Sequence, residues 1–219
     1  MSEDATETLS PEAGLALAWS GPKVRGALSM ALQFDRRLAR IVGRTTEPVL
    51  GQMRLAWWRE ALGKPLADRP RGDVVLDGLG RHWAGREAAL VAMVDGWETL
   101  VTAETMGRAE AEAFGAQRGA FFAALAPDQS PALALRLAAA GLRWAVADAA
   151  TAVAAADERA ALVAAGQVRA VALGRVPRDL RGLAVLDALA RRALERGGRP
   201  LLEGRGAALT ALRAAIFPL

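Results

Sequence analysis

Apolar positions recur at helical spacing along almost the whole chain. Ala and Leu dominate, Ile is scarce, and no stretch alternates apolar and polar residues at period two between turn signals. Ser10-Pro11-Glu12 combines an N-cap residue, a proline at the first helical position and an early acid, and so starts a helix. Gly21-Pro22 closes it and opens a second helix that runs to about 40–43. Glu47-Pro48 opens a third that ends at Leu62, before a loop over 63–72 carrying Pro65 and Pro70. Further helical stretches are expected over 74–83, 86–100, 105–126, 131–156, 158–171, 178–194 and 206–216, with short breaks that hold Gly or Pro. No repeat of fixed period and no low-complexity linker divides the chain. The expectation is one all-α domain over 1–219, with 1–9 a flexible acidic N-terminus.

The stretch 132–156 is apolar almost all round, with Arg136 and Arg143 one above the other at i, i+7. A helix without a polar face belongs in the middle of a bundle, and its many Ala residues let neighbours approach closely.

Two helices carry charge where their wheels read apolar. In the second, Leu28, Ala31, Leu32, Phe34, Leu38, Ala39 and Val42 share a face with Asp35 among them, while Arg36, Arg37 and Arg40 point outward. In the third, Leu50, Gly51, Leu55, Trp57, Trp58, Ala61 and Leu62 form a broad apolar face with Glu47 and Arg54 at its centre, and Gln52, Arg59 and Glu60 lie opposite. An unpaired charge in a core costs several kcal/mol, so Asp35, Glu47 and Arg54 are expected to pair, most simply with one another across the two helices. Such a cluster either fixes how the helices dock or forms the polar floor of a cavity where Arg54 meets an anionic ligand. Paired Trp57 and Trp58 read as core residues that could also line such a site.

Composition removes much familiar chemistry. Cys and Tyr are absent and His82 is the sole histidine, which excludes disulfides, thiolate catalysis and sites needing two imidazoles. His82, beside Trp83 near a helix end, reads as a surface or capping residue. Hydrophobic residues at 53% and charged residues at 24% argue for a packed chain rather than a disordered one. The net charge of +4 is uneven. Residues 1–20 hold four acids and no base, the opposite of a secretory or transit signal, while 169–213 hold ten Arg against four acids. A basic face of this kind suits phosphates, acidic partners or an anionic membrane surface. No apolar run reaches the length of a membrane span, so a cytoplasmic protein, at most peripheral at the membrane's inner face, is expected. Gly72-Asp73 and Gly197-Gly198 are turn signals without a phosphate-loop pattern. Nucleic-acid binding lacks a motif and is not expected.

The segment Glu47-Pro-Val-Leu-Gly-Gln-Met-Arg-Leu-Ala-Trp-Trp-Arg-Glu-Ala-Leu62 closely resembles the squalene/phytoene synthase family, in particular the branch carrying Glu-Pro-x-Leu-Gly-x-x-Arg-Leu-x-Trp-Trp-Arg. Ala31-Leu-Gln-Phe-Asp-Arg-Arg-Leu-Ala-Arg-Ile-Val42 looks like that family's first conserved helix, and 112–126 and 177–194 look similar to later ones. The resemblance implies an isoprenoid-synthase bundle that joins two prenyl diphosphates head to head, using Mg²⁺ held by two Asp-rich clusters on facing helices. Here the expected Asp-Asp-x-x-Asp leaves only Asp35, with Ala39 at i+4 and Arg40 beside it. The second cluster should follow Gly141, where Ala152 and Ala156 stand at its two acids and Asp148 and Asp157 are nine residues apart. No catalytic residue and no metal ligand is therefore carried over. The branch resembles assembly factors of respiratory complex I, which implies a non-catalytic protein acting by binding, with a complex I subunit or a retained isoprenoid or prenyl diphosphate as partner. No cofactor is expected on that reading. The alternative is an active prenyltransferase with displaced ligands, which alone would need Mg²⁺.

Overall fold

The computed structural model describes residues 7–45, 47–126, 128, 130–168 and 173–217, which are helical with no strand among them. Proline sets four of the helix starts, as its fixed φ and missing N–H allow at a first turn. It leads α1 (Pro11–Ala18), α2 (Pro22–Arg44), α3 (Pro48–Gly63) and α8 (Pro131–Ala152). Asp73 caps α4 (Val74–His82) by accepting from the Leu76 N–H at 2.8 Å. The chain continues through α5 (Glu87–Thr102), α6 (Arg108–Arg118), α7 (Phe121–Ala124), α9 (Ala156–Val168), α10 (Arg181–Glu195) and α11 (Gly206–Ile216).

From Ala139 to Ala150 helix α8 lies at the centre, as its lack of a polar face requires, whereas Leu135 and Ala138 nearer its start are exposed. It packs on α6, α7, α9 and α10; α5 bridges α6 to α2 and α3, α1 closes over α10, and α11 lies outermost on α10. Where α6 meets α8 their backbones touch. A Cβ on Gly141 would stand 2.1 Å from the Gly119 carbonyl oxygen, and one on Gly119 would stand 2.2 Å from the Gly141 carbonyl carbon. Only glycine fits on both sides of that crossing.

This crossing explains one departure from the sequence reading. The single helix expected over 105–126 breaks at Gly119-Ala120 into α6 and α7, which wrap α8 in succession. The helix expected over 131–156 also ends early, at Ala152. Arg159 of α9 donates to the carbonyls of Ala150 (3.2 Å) and Val153 (2.6 Å), satisfying groups that end-of-helix geometry leaves open. The stretch expected over 158–171 begins at Ala156, and 169–171 lie outside the described residues. Of the stretch expected to be flexible, 1–6 lie outside the described residues, whereas Glu7 is buried and accepts from Arg37 Nε at 2.6 Å and from Arg40. Arg37, expected to point outward, is therefore buried between Glu7 and Asp73, the latter at 2.9 Å. His82 is exposed in the last turn of α4, as its position near a helix end suggested. No helix among the described residues is long and apolar enough to cross a membrane.

A buried arginine between two carboxylates

Asp35 of α2 is buried, as the wheel of that helix requires, and its partner comes from 83 residues further along the chain. Arg118, in the last turn of α6, reaches across the bundle and grips the carboxylate with two parallel bonds, Nε to Oδ1 at 2.8 Å and Nη2 to Oδ2 at 2.7 Å. The same Nη2 donates to Asp148 Oδ2 of α8 at 2.6 Å, and Nη1 donates to the Ala145 carbonyl at 3.0 Å. Trp97 of α5 adds its indole N–H to Asp35 Oδ1 at 2.9 Å.

The guanidinium is stacked as well as paired. Its carbon lies 4.7 Å from the ring centroids of both Trp97 and Trp144 and 5.6 Å from that of Phe114. Gly96 makes room for this side of α6, since a Cβ there would come within 2.8 Å of the Arg118 backbone nitrogen. The Arg118 side chain is 2% exposed, and Asp148 keeps a partly open edge. Burial alone would favour loss of the Arg118 proton, but the field of Asp35, then that of Asp148, and their hydrogen bonds outweigh it and hold the guanidinium above its ordinary pKa. Beside this cluster, between Leu9, Ala13, Leu32, Asp35, Trp144 and Asp148, remains a pocket of about 20 Å³, room for one water molecule.

The charged residues of α3 lie elsewhere. Glu47 and Arg54 are exposed, and Arg54 Nη1 reaches the Thr45 hydroxyl at 3.4 Å. Neither joins Asp35, which corrects the expected cluster of Asp35, Glu47 and Arg54. The reason is rotation. The apolar arc of α3 is so wide that the core could take only part of it, and it takes Gly51, Leu55, Trp58, Ala61 and Leu62. Trp58 packs on Phe34 with centroids 5.0 Å apart, while Trp57, one residue on the wheel away, stands edge-on to Trp58 and 43% exposed. Arg59, expected in solvent, is half-buried and donates to Asp95 Oδ1 at 2.8 and 2.6 Å and to Glu98 of α5. The outer face of α3 therefore presents Val49, Leu50, Met53 and Trp57 beside Arg54.

Where a cavity with Arg54 at its polar floor was one expectation, the buried side chains of Trp97, Phe114, Arg118 and Trp144 pack around Asp35 instead. Nor does the cluster fit Mg²⁺. Both Asp35 oxygens already accept from nitrogen donors, and a fixed guanidinium stands where a hard dication would need free oxygen ligands. Among the described residues, no group of three or more His, Cys, Asp or Glu side chains could hold a metal ion.

A second buried pair joins α8 to α10. Arg143 Nε donates to Asp187 Oδ1 at 2.7 Å, and burial pushes the Asp187 carboxyl up against the pull of Arg143. Arg136 of α8 donates to the Leu173 carbonyl at 2.9 Å.

Comparison with family models, with curated proteins and with solved structures yields no match.

Proposed function

We propose that this chain is a squalene/phytoene synthase-like helical protein that binds rather than converts, akin to the complex I assembly-factor branch that its third helix resembles. The observation that carries the reading is Arg118 forked onto Asp35 and bonded to Asp148. Family chemistry needs carboxylates on facing helices to hold Mg²⁺ against a diphosphate. Here acids from α2 and α8 do converge, but on a tethered cation that cannot leave and that bonds both oxygens of Asp35 and one of Asp148. The adjoining space of about 20 Å³ is an order of magnitude below the several hundred Å³ typical of small-molecule sites.

The recognition surface on this reading is the outer face of α3. The motif divides between two tasks: Gly51, Leu55, Trp58 and Arg59 dock the helix, whereas Leu50, Arg54 and Trp57 remain at the surface with Val49 and Met53. Several large apolar side chains on one helix face, one of them Trp, are the raw material of a protein–protein hot spot.

The test is turnover with farnesyl or geranylgeranyl diphosphate and Mg²⁺, following pyrophosphate. None should be released; release that requires Mg²⁺ and disappears in metal-free buffer would falsify the reading. For the binding arm, the chain is mixed with purified complex I subunits, and Trp57→Ala with Met53→Ala should lose any retained subunit while keeping the melting temperature.

A further inference from the structure

Helix α11 is built inside out for a surface helix. Its core-facing positions are the small Ala207, Ala211 and Ala215, whereas Leu209, Leu212 and Ile216 lie on the opposite side at 66%, 47% and 43% exposure, followed by Phe217 at 67%. A helix that only closes a bundle carries polar residues outward. Here the larger apolar area faces water, and in 206–217 the sole charge is Arg213.

The surroundings of that stripe are cationic. Arg205 precedes the helix and Arg213 stands at its edge, both exposed; over 181–217 the chain has seven Arg against Asp187, Glu195 and Glu203. Of those acids, Asp187 is engaged by Arg143, and Glu203 faces Arg196 and Arg199. Going round α11 past Arg213, the surface opens into a cavity of about 180 Å³ against α10. Apolar Leu173, Ala188 and Phe217 line it together with Thr210, Arg191 and Arg213, and Asp187 lies in its wall. Two guanidiniums beside an apolar stripe match the order of groups in a phospholipid, with an anionic headgroup next to acyl chain.

Independently of the role given to α3, we propose that α11 is a peripheral membrane anchor: its Leu209, Leu212, Ile216 and Phe217 stripe enters the interface of an anionic bilayer, and Arg191 and Arg213 hold a lipid phosphate at its edge. The stripe supplies the apolar term and the arginines restrict it to anionic lipid, each cation near such a surface being worth about a fivefold change in affinity.

The experiment is co-flotation of the full chain with vesicles of phosphatidylcholine alone and of phosphatidylcholine with about one third phosphatidylglycerol. Binding is expected to the second and not the first, and to weaken steeply between 0.1 and 0.5 M salt (on the order of the range over which surface charges become screened). Leu209→Glu with Leu212→Glu should lower binding at least about tenfold, and Arg205→Glu with Arg213→Glu about twenty-five-fold or more. All four positions are exposed, so both variants should keep the parent's melting temperature. Equal binding to neutral vesicles, no binding to anionic ones, or undiminished binding by the leucine variant overturns the proposal. So does a dimer in light scattering that the leucine variant splits, because the stripe then serves self-association.

Discussion

Replacing Arg118 with methionine tests the central cluster most directly. Methionine keeps much of the length and the contact with Trp97, Phe114 and Trp144 but removes the charge and four hydrogen bonds. Asp148 can turn its partly open edge to water; Asp35, at 2% exposure, cannot, and retains only the Trp97 indole N–H. Breaking a buried pair by removing one partner costs about 3–5 kcal/mol. For a domain of this size each kcal/mol is worth roughly 2–4 °C, so the melting temperature should fall by about 6–20 °C. The companion variant Asp35→Asn in the Arg118→Met background removes the stranded charge and should restore roughly half of the loss, while Asp35→Asn alone destabilises. Arg118→Lys should behave like a partial deletion, since an ammonium cannot reproduce the fork or the ring stacking. Thermal melts of the four chains give the coupling energy between the two positions. A drop below about 3 °C in Arg118→Met, or no recovery in the double variant, refutes the claim that burial of Asp35 depends on this guanidinium.

Other outcomes follow from the same geometry. Gly141→Ala would normally gain helix propensity, yet the Cβ would meet the Gly119 carbonyl oxygen, so denaturant titration should show a net loss of about 1–3 kcal/mol. Trp58→Ala should cost about 3–5 kcal/mol and Trp57→Ala under about 1, a difference between adjacent residues readable in the same titration; equal costs would show that α3 is rotated from the orientation described. Glu87 feels burial pushing its carboxyl up, but hydrogen bonds from backbone N–H groups and from Arg69 at 2.9 Å hold it below the usual range. Its folded value lies under its unfolded one, so the stabilisation is complete above about pH 4.5 and fades as pH falls through the folded value. Unfolding midpoints of the parent and Glu87→Gln should therefore differ near pH 7 and converge at acid pH.

How far the sequence disclosed this arrangement depends on which physical signal was local. Proline and glycine mark helix ends within a turn, and a helix with no polar face announces its burial, so the all-α order and the central position of α8 were legible. Asp35 was legible too, as a charge needing a partner. The partner was not, because pairing across a bundle leaves no trace in the spacing along one helix. Arg118 closes α6, whose composition is polar enough to pass for a solvated helix. One signal does exist: Ala111, Phe114, Gly115 and Arg118 fall at i, i+3, i+4 and i+7, which places the arginine on the buried stripe. In α3 the failure was of another kind. Where apolar residues cover most of the circumference, the wheel does not fix the core direction, and the core took Trp58 and left Trp57, about 100° round the helix, at the surface.

The convergence of acids on one cation gives the proposed loss of catalysis a physical shape. Carboxylates facing one another across a bundle repel, and some cation must stand between them for the helices to close. A dissociable Mg²⁺ leaves coordination positions for diphosphate, so the same charge that holds the helices also binds substrate. A guanidinium delivered on a neighbouring helix satisfies the electrostatic requirement equally well but directs its N–H groups at the protein's own oxygens. Here three of those groups meet Asp35 and Asp148 and one meets the Ala145 carbonyl. The exchange also needs α6 to lie close enough for a side chain to span the gap, which is what the glycine crossing with α8 provides one residue after Arg118. On the proposed reading, loss of the metal and tight docking of α6 are thus one change. Widening the crossing with Gly119→Ala should accordingly loosen Arg118, and hydrogen exchange should rise first at the C-terminal turn of α6 and at the indole N–H of Trp97. Exchange that rises uniformly along α6, with the Trp97 indole still protected, would separate the crossing from the cluster and defeat this coupling.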